Sequence, residues 1–61
     1  MDITDPIWAD ADQTGVIAVV DGHVSFIPAD RSNRHFAAIE EQAMAIADHD
    51  PDVIAALWQQ N

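Results

Sequence analysis

The sequence predicts an α+β fold, a β-hairpin or three-stranded antiparallel meander followed by two short helices, and three observations carry that expectation. Two β-branched runs flank Asp21-Gly22. An apolar stripe of helical spacing follows Pro28. Asp50-Pro51-Asp52 then restarts the chain as a second helix.

The hairpin is Val16 to Ile27. Asp-Gly supplies positive φ at both central positions of a type I′ turn, and a two-residue loop sets the register. Val20 should oppose His23, Val19 Val24, Ala18 Ser25 and Ile17 Phe26. One face then reads Ile17, Val19, Val24 and Phe26, all apolar, and is expected to face the core. The other reads Val16, Ala18, Val20, His23, Ser25 and Ile27, a mixed set expected to face outward. Pro28 closes the second strand because it cannot donate to a ladder.

The first helix is expected over 31–48. Asp30 or Ser32 caps it, and Phe36, Ile39, Ala43 and Ile46 recur at steps of three and four. In the second, over 51–60, Asp50 is a natural N-cap and Pro51 suits the first helical position. Asp52 complements the positive end of the helix dipole. Val53, Ile54, Leu57 and Trp58 share one side, and a helix this short requires packing to persist. Residues 1–15 read as an N-terminal arm or an edge strand. Ile3 to Trp8 is the candidate strand, interrupted or edged by Pro6, and 10–15 is a turn.

Composition bounds what such a module does. The 61 residues make one domain with no cysteine, which excludes disulfides and thiolate sites. Apart from eleven alanines, nineteen large apolar side chains are available, enough for one thin core. A chain this small usually needs a staple or a partner. Net charge is −9, from eleven acids against two arginines and no lysine. Nucleic-acid backbones and anionic membranes are therefore unsuitable partners. There is no apolar run of membrane-spanning length and no signal-peptide pattern. The expected site of synthesis is accordingly the cytoplasm.

Few residues suggest chemistry. Asp10, Asp12 and Thr14 with Gly15 and Ile17 follow the first part of a calcium loop, and Asp21 falls at the closing position. Asp is shorter than the usual closing Glu, and no helix leads into the loop, so a polar turn accounts for the same residues. His23, His35 and His49 form no ligand pair at helical spacing. Ser25, Ser32, Thr4 and Thr14 lack the glycine-framed setting of a nucleophile. The expectation is no enzyme, no metal and no cofactor. The candidate functional residues are instead interface anchors: Trp8, Val16, Val20, Ile27, Arg34 and Trp58. Tryptophan and arginine are enriched at binding hot spots, and the three aliphatics lie on the outward hairpin face.

One segment resembles a known pattern. Phe26-Ile27-Pro28-Ala29-Asp30-Arg31-Ser32-Asn33-Arg34-His35-Phe36-Ala37-Ala38-Ile39 is similar to the "VPxDPxNRxYxxI" segment of small proteins from the tail-fibre region of tailed phages, prophages and gene-transfer-agent-like particles. Pro28, Asp30, Asn33, Arg34, Phe36 (usually Tyr) and Ile39 match, and Ala43 to Ala47 resembles the alanine-rich continuation. The likeness spans about residues 16–48. Arg31 departs from it, standing where the family usually has proline. The resemblance implies a structural or adaptor protein of a virion, in the tail or tail-fibre region. It would dock onto larger virion proteins in several symmetry-related copies. Two other functions fit the sequence. One is a capsid-surface cement protein. The other is an acidic inhibitor of a host defence nuclease that mimics nucleic acid, although the acids cluster at turns and helix starts rather than along one face.

Overall fold

The computed structural model describes residues 2–59. Three antiparallel strands, β1 (Ile3–Trp8), β2 (Gly15–Val20) and β3 (His23–Pro28), form a sheet in the order β1-β2-β3. Two helices follow, α1 (Arg34–Glu41) and α2 (Pro51–Trp58). The meander is thus present, with β1 as its third strand.

The hairpin has the register its turn dictates. Val20 pairs with His23, Val19 with Val24, Ala18 with Ser25 and Ile17 with Phe26. Asp21 and Gly22 have φ of 51° and 86°, as a type I′ turn requires. Asp21 also holds the sheet's other junction. Its N–H donates to the Asp2 carbonyl at 2.7 Å, and its carboxylate accepts the Asp2 N–H at 2.8 Å.

β1 contains a bulge. Thr4 pairs with Val19 and Ile7 with Ile17, so β1 takes three steps where β2 takes two. Asp5 absorbs the extra residue at φ 54°, a conformation that aspartate tolerates better than most residues. Pro6 sits in the bulge, where a missing N–H does least harm to the ladder. The extra residue also reverses the alternation of side chains. Ile3 and Trp8 therefore lie on one face of the sheet, and Ile7 lies on the other.

Both faces are covered. Ile3, Val16, Ala18 and Ile27 pack with Phe36 and Ile39 of α1, with Trp8, Val20, Met44 and Ile46 at the margin. On the opposite face Ile7, Ile17 and Val24 pack with Leu57 of α2, flanked by Val19 and Ile54. The sheet is the middle layer of three. This corrects the expectation that Val16, Val20 and Ile27 point outward. Val16 and Ile27 are 0% and 2% exposed, and Val20 is half-buried. Phe26, placed in the core by the same expectation, is 57% exposed. A hairpin face with alternating small and large residues suits a helix as well as a uniformly apolar one does. The chain supplies a helix for each.

The first helix is shorter at both ends than its 31–48 pattern. Asn33, rather than Asp30 or Ser32, is the N-cap, its Oδ1 accepting from the N–H groups of His35 (2.9 Å) and Phe36 (3.2 Å). Such a cap contributes about 1 kcal/mol. Asp30 instead closes the preceding turn, accepting the Ser32 N–H at 3.0 Å on its side chain and the Asn33 N–H at 2.8 Å on its carbonyl. At the other end Ala43 takes φ 54°. Ala43 N–H donates to Glu40 O and Met44 N–H to Ile39 O, the paired bonds of a Schellman termination. Alanine occupies the left-handed position where glycine is usual, so helix propensity did not decide this boundary.

What did decide it lies just beyond. Ala47 N–H donates to Pro6 O and Trp8 N–H donates to Ala47 O, both at 3.0 Å, a parallel bridge along the outer edge of β1. The chain leaves α1 on one face, rounds the β1 edge and enters α2 on the other. An uninterrupted helix to residue 48 would carry it past the sheet. Asp50 caps α2 by accepting the Asp52 N–H at 3.0 Å, with Pro51 in the first turn, as the sequence pattern requires. The expected end at residue 60 lies outside the described residues, as does Met1.

Candidate docking surface

The apolar side chains left exposed belong to the α2 side of the molecule. α2 turns Leu57 inward and Ile54 partly so, which leaves Trp58 47% and Val53 45% exposed. Eight residues of helix present a stripe too narrow to bury four large side chains at once. On the sheet, Phe26 projects from β3 on the same face as Ile17 and Val24. Its ring lies over Gly15, where a Cβ would overlap it. Gly15 is the diagonal cross-strand neighbour of Phe26, a position within reach of an aromatic ring. The glycine thus holds the ring flat against the sheet while its outer surface meets solvent.

The predicted anchors divide accordingly. Trp58 is exposed, as an anchor must be. Arg34 is exposed at the first position of α1 and forms no ion pair with any described residue, whereas Arg31 Nε lies 3.3 Å from Glu40 Oε1. Trp8 is half-buried against the α1-side core, and its carbonyl accepts from His49 Nδ1 at 3.2 Å, a contact that places a proton on that nitrogen. Val16 and Ile27 are enclosed and Val20 largely so; they hold α1 rather than a partner. Phe26 and Val53 were not among the anticipated anchors. The signal for Phe26 was Gly15, a residue without a side chain placed diagonally across the register. Without α2 in place, nothing distinguishes such a rim position from the core.

Of the calcium-loop residues, Asp10 and Thr14 stay together and Asp21 is separated from them. Thr14 N–H donates to Asp10 Oδ1 at 2.9 Å, and the Thr14 hydroxyl donates to Asp10 Oδ2. These bonds, the hydroxyl first, hold the Asp10 carboxyl below the ordinary aspartate range. Asp21 lies at the far end of β2, about 20 Å of strand away, and is engaged with Asp2. It therefore does not close the loop, because the residues after Gly15 extend as strand instead of wrapping an ion. Asp12 is exposed in the turn. Among the described residues no three acids or histidines come together, and no pocket is present. No described helix is long and apolar enough to cross a membrane.

The segment Pro28 to Ile39 is a strand-to-helix joint. Pro28 ends β3, Asp30 closes the turn, Asn33 caps α1, and Phe36 and Ile39 enter the core. Pro28 aside, which acts by ending the strand, Arg34 is the one residue among the six matched to the resembling segment whose side chain makes no described hydrogen bond, ion pair or core contact. No family model matches this sequence, and no curated protein or solved structure matches it either.

Proposed function

We propose that this chain is a small structural or adaptor protein of a phage or phage-like particle, in the tail or tail-fibre region, and that it acts by docking onto a larger virion protein. The observation that carries the docking part is the exposed trio of Phe26, Val53 and Trp58 in a protein with few large side chains to spare. A small domain gains stability from each one it buries, and leaving three outside favours a surface used for contact. The virion part rests on the likeness of the segment Pro28 to Ile39 to tail-fibre-region proteins. In the fold every matched residue except Arg34 has a role in the strand-to-helix joint.

The mechanism is burial of Trp58 with Val53 against a partner, with Arg34 available to a carboxylate beyond the α1 start. The experiment is mass spectrometry of purified particles with head and tail fractions kept apart. The chain should occur in the tail fraction, and Trp58→Ala should deplete it from particles while its circular dichroism stays native. Absence from both fractions overturns the virion reading; presence in heads alone moves the protein to the capsid surface.

A further inference from the structure

The two edges of the sheet are treated very differently. The β1 edge carries a bulge, a proline, the charge of Asp5 and the bridge to Ala47, all of which block further pairing. The β3 edge carries none of these until Pro28. A two-residue turn makes Val20 and His23 a hydrogen-bonded pair, and the alternation continues through Ala18–Ser25 and Val16–Ile27. The bond from Ala29 N–H to Thr14 O at 3.1 Å continues the same phase. Val24 and Phe26 therefore point their N–H and C=O groups away from the sheet. No described backbone group bonds to them. Pro28 has no N–H, and its carbonyl already accepts from Asp30 N–H at 2.8 Å.

We propose that a second copy of this chain pairs here, β3 against β3 about a two-fold axis, to make a continuous six-stranded antiparallel sheet. The edge is self-complementary in one register. With Ser25 opposite Ser25 of the other copy, Val24 meets Phe26 of its mate and Phe26 meets Val24, and each pair exchanges two hydrogen bonds. Every free donor and acceptor of the edge is then used. Moving the axis to Phe26 sets Val24 opposite Pro28, which has no N–H to give. The same register lays each exposed Phe26 ring beside the mate's Val24, on the α2 side of both sheets.

Charge points to the same strip. In a chain of net charge −9, His23–Pro28 carries no carboxylate, so like charges are kept off the line of contact. Asp21 and Asp30 flank it, and at each end Asp21 of one copy nears Asp30 of the other, so added salt should strengthen the pairing by screening them. Two six-residue strands cover less than the about 800 Å² per partner of a standard interface. The dimer is accordingly a weak one, favoured where local concentration is high. It does not depend on the virion reading, and it leaves Trp58 and Arg34 free.

A cysteine-free chain allows a direct test. Facing residues at a non-hydrogen-bonded antiparallel site have Cα atoms about 4.5 Å apart. That lies within the roughly 4.4–6.8 Å a disulfide spans. Ser25→Cys should form a disulfide dimer on mild oxidation, while Ser32→Cys, in the exposed turn before α1, should not. In the unmodified protein, amide exchange at Val24 and Phe26 should slow as concentration and salt rise, in step with dimer seen by sedimentation. Phe26→Lys should abolish both effects while keeping the hairpin amides protected. Equal crosslinking at both cysteine sites overturns the proposal. So does a monomer at every concentration with freely exchanging Val24 and Phe26 amides, or an edge that is protected only when another protein is added.

Discussion

The two faces of the sheet are built from the same three strands, yet they are closed to different degrees. Under α1, Val16, Ala18, Ile27 and Ile3 meet Phe36 and Ile39, and six buried residues form one cluster. Under α2, Ile7, Ile17 and Val24 meet Leu57 alone as a fully buried helix residue, with Ile54 at the margin. The face with the more uniformly apolar sequence is thus the less well covered. Alternation identifies which side chains share a face, but depth of burial depends on the helix laid over it. α1 is capped by Asn33, ends in a Schellman turn and is continued by Met44 and Ile46 against the same cluster. α2 is held chiefly by Leu57, and its rim leaves Phe26, Val53 and Trp58 in water.

Truncation at the centre of each face gives the largest test of that contrast. Ile39→Ala removes a side chain 1% exposed between α1 and the sheet, and should cost about 2–5 kcal/mol. In a domain this small that loss should abolish cooperative unfolding at room temperature. Leu57→Ala falls in the same class of change, but Leu57 is the one buried residue of a short helix that can shift to close the space it leaves. It should cost less, toward about 2 kcal/mol, and release α2 while the hairpin and α1 persist. Amide exchange followed by NMR separates the two outcomes. Equal losses, or global unfolding from Leu57→Ala, would show that the layers are energetically one unit.

A smaller effect of opposite sign is expected at the end of α1. Ala43→Gly relieves a left-handed alanine and should stabilise the protein by about 0.5–1 kcal/mol, read as a raised denaturant midpoint. If the Schellman turn is instead held mainly by Met44 packing against Ile39, the midpoint will not move.

The smallest effect lies in acid, at the two turns flanking the hairpin. Asp10 is held below the ordinary aspartate range by the hydroxyl and N–H of Thr14, and Asp30 by the N–H and hydroxyl of Ser32. A carboxyl whose folded pKa is depressed adds stability that is complete above its unfolded value, about 3.9, and is lost as pH falls through the folded value. Acid also relieves the net charge of −9, so the bare pH profile mixes two trends. Comparison with Asp10→Asn and Asp30→Asn isolates the first. Each variant should lie slightly below the parent at neutral pH, and the gap should close below about pH 4.

Much of this architecture was legible in the sequence because local rules agreed with one another. Asp21-Gly22 determined the turn, the turn determined the β2–β3 register, and Asp50-Pro51 determined where α2 begins. Pro6 marked the place where β1 departs from regular pairing. The residues proposed for docking were only half legible. Trp58 and Arg34 stand at the surface, whereas Val16, Val20 and Ile27 belong to the α1 layer.

The reason is physical. Turn chemistry and strand alternation act over two to six residues, so a sequence carries them whole. Which face of a sheet is inside depends on where later helices land, and that was decided by contacts between distant segments. The Asp5 bulge sent Ile3 and Ile7 to opposite layers. The bonds of Ala47 to Pro6 and Trp8 drew the chain around the β1 edge, ending α1 at Glu41 against the propensity of its alanines. With a helix on each face, the hairpin lost its outward side, and the large apolar side chains left in water lie on the α2 rim and at Phe26 of β3.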